Sequence, residues 1–315
     1  MIENIKKHQN YISICIALLS LWYIVYVVSI RGKSFIEAPF NLNNLSLLDI
    51  FLLSISLLIL SALNWFSEAV KWHILINNYK KFSFNHSIKR CFAGHAIGIM
   101  TPNKLGDYAA KMFLYPGVTK KNILVANFLN NAYQLLITLF FGSLGLFFFY
   151  KKGDIAHYFN LEVHHLWSYI IVASIFLLAI ILFRERVVYF LSKININKKN
   201  NGYILLLSIT KYIAFSQLYV ILLKLLGTDI PLFQLMYATW VMYLISSIVP
   251  TFFISDLVVK TGVAVLIFTS LGLNEINVII VSFLTWLFNF IIPALVGNVF
   301  MLQLKRKTKK EKIIY

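Results

Sequence analysis

The chain has 315 residues, 59% of them hydrophobic and 13% charged, with 29 Lys and Arg against 12 Asp and Glu for a net charge of +17. Soluble domains carry about 25% charged residues, so the composition excludes a water-soluble globular protein and confines any chemistry or transport to the bilayer or its surface. The basic excess lies in short loops between apolar runs, not on a polar face carrying a recognition motif; this excludes a nucleic-acid partner and marks membrane topology, with part of the charge placed to touch anionic lipid headgroups.

In chain order, Lys6 and Lys7 precede an uncharged run over 11–30. It is longer than a signal-peptide core and no small-residue cleavage site follows, so a retained first helix is expected. Further runs of roughly 20 residues or more occupy 47–66, 123–150, 166–183, 203–226 and 278–304. Two other apolar regions are interrupted. The first, 88–115, breaks at Thr101-Pro102-Asn103-Lys104; the second, 232–269, breaks at Pro250 and carries Asp256 and Lys260 beyond the break. Proline removes a backbone donor and ends a helix, so each region reads as a helical hairpin or a broken helix. Cys15 and Cys91 sit in apolar contexts far apart and read as core residues with no disulfide or metal role.

With the N-terminus inside, six spans and two hairpins place 20 Lys and Arg in the inner segments 1–10, 67–90, 116–122, 184–202 and 305–315, and four in the outer ones. This bias puts both termini in the cytoplasm and 151–165 outside. The expected fold is an all-α polytopic membrane protein of about six full spans and two re-entrant hairpins, in a single membrane domain. Hairpins whose halves each cross would give eight to ten spans and leave the bias intact.

Two segments about 149 positions apart are alike. Phe66-Ser67-Glu68 precedes Pro102, Asp107 and Lys111; Phe215-Ser216-Gln217 precedes Pro250, Asp256 and Lys260. The order of elements also repeats, and the two units start on opposite sides. Residues 11–150 and 166–304 are therefore expected to be inverted repeats, as in transporters whose broken helices meet near the midplane.

Charge inside a membrane costs about 2.5–3.5 kcal/mol per residue on insertion scales, so it pairs or lines a wet cavity. Asp107 with Lys111 and Asp256 with Lys260 are four apart, on one helix face, where they can neutralise each other. They can equally be brought together by the two hairpins to bind a headgroup, and the residues alone leave both readings open. Asn103 and Lys104 open the second half of the first hairpin, where free N–H groups and the helix dipole suit an anion. Glu68, Lys71 and Trp72 read as an interfacial ion pair and anchor, and His73 and His95 as structural. Lys211 and Lys224 either snorkel or, for Lys211, line the cavity. No nucleophile motif, metal triad, phosphate loop or dinucleotide fingerprint is present, so no cofactor, metal or catalytic residue is expected.

The stretch Gly94-His95-Ala96-Ile97-Gly98-Ile99-Met100-Thr101-Pro102-Asn103-Lys104-Leu105-Gly106-Asp107, followed by Lys111 and preceded by Lys71-Trp72, resembles the signature of the lysylphosphatidylglycerol synthase transmembrane-region family, also called the flippase-like domain family. The resemblance covers roughly 11–305. Lys111 stands where the family more often has arginine, and Thr251 to Asp256 lacks the glycines usual after the second proline. The resemblance implies translocation or handling of membrane lipids at the cytoplasmic membrane; some members flip aminoacyl-lipids. The 315 residues hold no aminoacyl-transferase domain, so lipid aminoacylation is not expected of this chain. The reading is a flippase-like transporter of a lipid with an anionic or phosphate-bearing headgroup, its site at Lys104, Asp107, Lys111, Asp256 and Lys260, supported by Glu68, Lys71, Trp72, Pro102 and Pro250. The alternatives are a membrane subunit that supports a lipid- or glycan-modifying enzyme, and a small-solute transporter.

Overall fold

In the computed structural model, the structure describes residues 46–151 and 198–313, apart from Met100, Pro102, Asn103, Gly227, Pro250 and Phe252. The expected spans 11–30 and 166–183, most of the outer loop, Cys15 and both hairpin prolines lie outside these residues. Among the described residues every regular element is helical: α1 (Leu47–Asn77), α2 (Phe84–Gly98), α3 (Leu105–Leu114), α4 (Lys120–Lys151), α5 (Lys198–Leu225), α6 (Leu232–Ile248), α7 (Phe253–Ser270), α8 (Glu275–Trp286) and α9 (Ile292–Ile313), the last two joined by a π-turn, Leu287–Ile291.

Three stretches, Lys120–Phe149, Asn200–Leu225 and Glu275–Leu304, are long and apolar enough to cross a membrane. Their outward side chains are mostly apolar: Phe140, Phe147, Leu206, Val299 and Leu302 are all exposed. An apolar outer surface of this extent would aggregate in water and is at home in lipid. The chain is a multi-pass membrane protein.

Both interrupted regions form helix pairs. In the first, α2 with 15 residues and α3 with 10 rise only about 22 and 15 Å, short of the roughly 30 Å hydrocarbon core. Their backbones come close because α2 offers glycine at the contact. A Cβ on Gly94 would stand 2.4 Å from Asp107 Oδ1, and one on Gly98 2.9 Å from Asp107 Cβ. In the second, α6 and α7 have 17 and 18 residues.

One expectation is corrected. Residues 67–77, assigned to an inner loop, continue α1 to Asn77. Trp72, expected at the interface, is fully buried and donates from Nε1 to Tyr115 Oη at 2.7 Å. Glu68 is neutralised by Lys211 of α5 and by Lys71 of its own helix, and Lys71 also donates to Asn130 and Gln134 of α4, so the helix carries their charge inward instead of ending before it.

The helices pair in matched sets. α1 packs on α5. α4 packs on α6, and α9 on α2. α2 packs on α3 as α6 does on α7, and α3 on α4 as α7 does on α8. The α9–α2 crossing is close: a Cβ on Gly297 would lie 2.1 Å from the Phe92 carbonyl oxygen, a backbone atom that cannot swing aside. Gly297→Ala should therefore lower stability by about 1–3 kcal/mol, read as an earlier thermal midpoint of the detergent-solubilised protein; an unchanged midpoint would mean that the crossing yields.

Candidate functional site

The π-turn sets one wall of the site. Pro293 has no N–H, and the Ile292 N–H reaches back five residues to Leu287 O, so the regular ladder fails here. Three successive carbonyls then turn to side chains of α1 and α2. Ser61 Oγ donates to Phe288 O at 2.7 Å, Trp65 Nε1 to Asn289 O at 3.0 Å and His95 Nε2 to Phe290 O at 3.2 Å. Asn64 Nδ2 adds a bond to Asn289 Oδ1 at 2.8 Å. His95 is thus structural, its ring also packed on Trp65 with centroids 4.1 Å apart.

Between this wall, α4, α5 and the two hairpins lies a cavity of about 810 Å³. Its lining includes four lysines, Lys104, Lys111, Lys211 and Lys260, and three carboxylates, Glu68, Asp107 and Asp256. All five expected site residues are among them. Lys71 and Trp72 stand behind the lining.

The charges form three knots and one remainder. In the first, Glu68 Oε2 receives Lys211 Nζ at 2.5 Å and lies 3.6 Å from Lys71 Nζ, while Asn130 Nδ2 donates to Oε1 at 2.5 Å. Lys71, with a side chain 0% exposed, also donates to Asn130 O and Gln134 Oε1. In the second, Lys111 Nζ donates to Asp107 Oδ2 and to Asn127 Oδ1, both at 2.8 Å, and Asn127 Nδ2 closes the triangle onto Asp107 Oδ2 at 3.0 Å. The ammonium lies 4.1 Å from the Trp72 ring centroid, a cation–π contact that offsets part of its desolvation. In the third, Lys260 Nζ donates to Asp256 Oδ2 at 2.8 Å and Thr251 Oγ1 to Oδ1 at 3.1 Å.

Lys104 is the remainder. It begins α3 with φ 55°, the left-handed region that side chains other than glycine enter at a cost. Thr101 holds the turn: its hydroxyl donates to Gly98 O and accepts from Gly106 N, and its carbonyl accepts from Lys104 N. Among the described residues no carboxylate lies within salt-bridge distance of Lys104. Its ammonium sits 5.0 Å from the Phe290 ring centroid, and Lys260 of the other hairpin sits 6.0 Å from the same ring.

The sequence did not single out Asn127, Asn130, Trp65 or the π-turn. Asn127 and Asn130 were visible as amides inside an apolar span, where a polar group has to find a partner. Lys211, read as snorkelling or lining the cavity, does the latter.

A family model described as lysylphosphatidylglycerol synthase TM region matches residues 11–297. The chain belongs to the lysylphosphatidylglycerol synthase transmembrane-region family. The match covers the described helices as far as Gly297 in α9, and with them every charged residue of the cavity lining among the described residues. A search of curated proteins returned no match to the chain. Membership in this lipid-related membrane family, with a charged cavity inside an apolar helical body, gives the chain a membrane-lipid-related role.

Proposed function

We propose that the protein is a flippase-like lipid transporter of the cytoplasmic membrane, with both termini in the cytoplasm. It holds an anionic or phosphate-bearing headgroup in the cavity while the acyl chains stay in the bilayer, and it carries out no catalysis. The observation that carries this reading is the convergence of charge from both hairpins on one cavity, with Lys104 and Lys260 over the same Phe290 ring. At about 810 Å³ the cavity falls within the roughly 300–1,000 Å³ typical of ligand pockets.

The reading includes two inverted repeats, 11–150 and 166–304, and the cavity lining supports them. Asn131, Gln134, Leu135 and Thr138 on α4 each stand 151 positions before Ser282, Thr285, Trp286 and Asn289 of α8 and its π-turn. Cys91 and His95 on α2 stand 151 before Met242 and Ser246 on α6; Asp107 and Lys111 stand 149 before Asp256 and Lys260. The matched helix pairings agree with this exchange. Alternating access would then be a rocking of one repeat against the other around a shared site.

Purified protein in liposomes with acyl-labelled lipid tracers should speed tracer movement between leaflets above protein-free liposomes. Tracers that stay in their leaflet at the protein-free rate would favour the accessory-subunit reading.

A further inference from the structure

We infer that Lys104 sets the charge preference of the cavity, which takes lipids whose headgroup is net negative and discriminates against headgroups carrying a compensating or additional ammonium. This rests on the transporter reading for the lipid's movement, and on the charge arrangement alone for its binding.

Among the described residues each carboxylate facing the cavity is paired with a lysine: Glu68 with Lys211 and Lys71, Asp107 with Lys111, Asp256 with Lys260. With four lysines in the lining against three carboxylates, and Lys71 behind them, a headgroup ammonium would enter a net positive, poorly hydrated site, which is strongly unfavourable. An anion displaces nothing. Lys104 has no carboxylate among the described residues, and it is exposed to the cavity. Both oxygens of Asp256, the carboxylate of the other hairpin, are taken, by Lys260 and Thr251. Lys111 is only 2% exposed and cannot present its ammonium, whereas Lys260 is 35% exposed. Lys104 and Lys260 therefore form the accessible cationic pair, one from each hairpin, and a phosphate between them would receive charge-assisted bonds from both. The left-handed backbone at Lys104 directs its ammonium to that place, and the hydrogen bonds of Thr101 hold the turn. Specificity then comes from repulsion of amines as much as from attraction of phosphate.

The test uses full-length protein in phosphatidylcholine liposomes with acyl-labelled phosphatidylglycerol, phosphatidylethanolamine and lysylphosphatidylglycerol. Wild type should move phosphatidylglycerol fastest and lysylphosphatidylglycerol slowest, by roughly tenfold between them. Lys104→Gln should bring the three within about twofold, and Lys104→Glu should reverse the order. Lys89→Gln, which removes a charge whose ammonium donates to Gln303 outside the cavity, should leave the order as in wild type. An order unaffected by Lys104→Gln, or lysylphosphatidylglycerol fastest in wild type, overturns the inference while leaving transport standing. If no tracer moves, transport fails and binding decides. Short-chain phosphatidylglycerol should then raise the thermal midpoint of the solubilised wild type and not of Lys104→Gln. Equal stabilisation by short-chain phosphatidylcholine, or by inorganic phosphate without lipid, overturns the inference of an anionic-lipid site.

Discussion

Glu68→Gln is expected to cost about 3–5 kcal/mol of stability, because removing one partner of a buried ion pair leaves uncompensated charge. Here a single carboxylate serves two ammonium groups from two helices, Lys211 at 2.5 Å and Lys71 at 3.6 Å. The Lys71 side chain is wholly inaccessible, so the glutamine would leave it with only Asn130 O and Gln134 Oε1 at 3.3 and 3.4 Å. Lys211 would be drawn from the α1–α5 seam toward the cavity. The thermal midpoint of the solubilised protein should fall, and Lys71→Met in the Glu68→Gln background should regain part of the loss. If the two substitutions are additive, Glu68 and Lys71 do not couple, and the loss comes from Lys211 alone.

Lys111→Met is the second large effect, again about 3–5 kcal/mol. It strips Asp107 Oδ2 of its cation and leaves Asn127 as that oxygen's one remaining donor among the described residues. Asp107 Oδ1 has no hydrogen-bond partner among the described residues, so the carboxylate has little else to neutralise it. Adding Asp107→Asn removes the orphaned charge and should restore most of the lost stability, since replacing both partners is far cheaper than breaking the pair. A double variant no more stable than Lys111→Met would show that the Lys111 cation is needed for packing on Trp72 and not for pairing.

The positions of the two hairpins were legible because proline and interrupted hydrophobicity mark helix breaks locally. So were the two Asp–Lys pairs, since four-residue spacing on a helix dictates which side chains meet. The spacing also left Lys104 over, and among the described residues it is the cavity lysine without a carboxylate. What spacing could not show is contact between helices distant in sequence. Glu68 and Lys71 looked like an interfacial pair because nothing in the local sequence reveals that Lys211, 143 positions away, lies against Glu68. The π-turn was equally hidden. Pro293 announces a disturbed ladder, but its form depends on Ser61, Trp65 and His95 arriving from elsewhere to donate to the freed carbonyls. Burial of Lys111 behind Asp107 and Trp72 also depends on packing, and it moves the accessible charge toward the hairpin tips.

The claim that the cavity charges serve lipid movement, and do more than fix the hairpins, is tested most directly by tracer movement in liposomes containing Asp256→Asn/Lys260→Met, which takes away the more exposed of the two paired hairpin lysines. This variant keeps the pair neutral and should remain folded, so stability and transport separate. The expected result is a normally inserted, thermally stable protein that moves phosphatidylglycerol tracer no faster than protein-free liposomes. Movement at the wild-type rate would contradict it, making these charges structural and placing the site elsewhere.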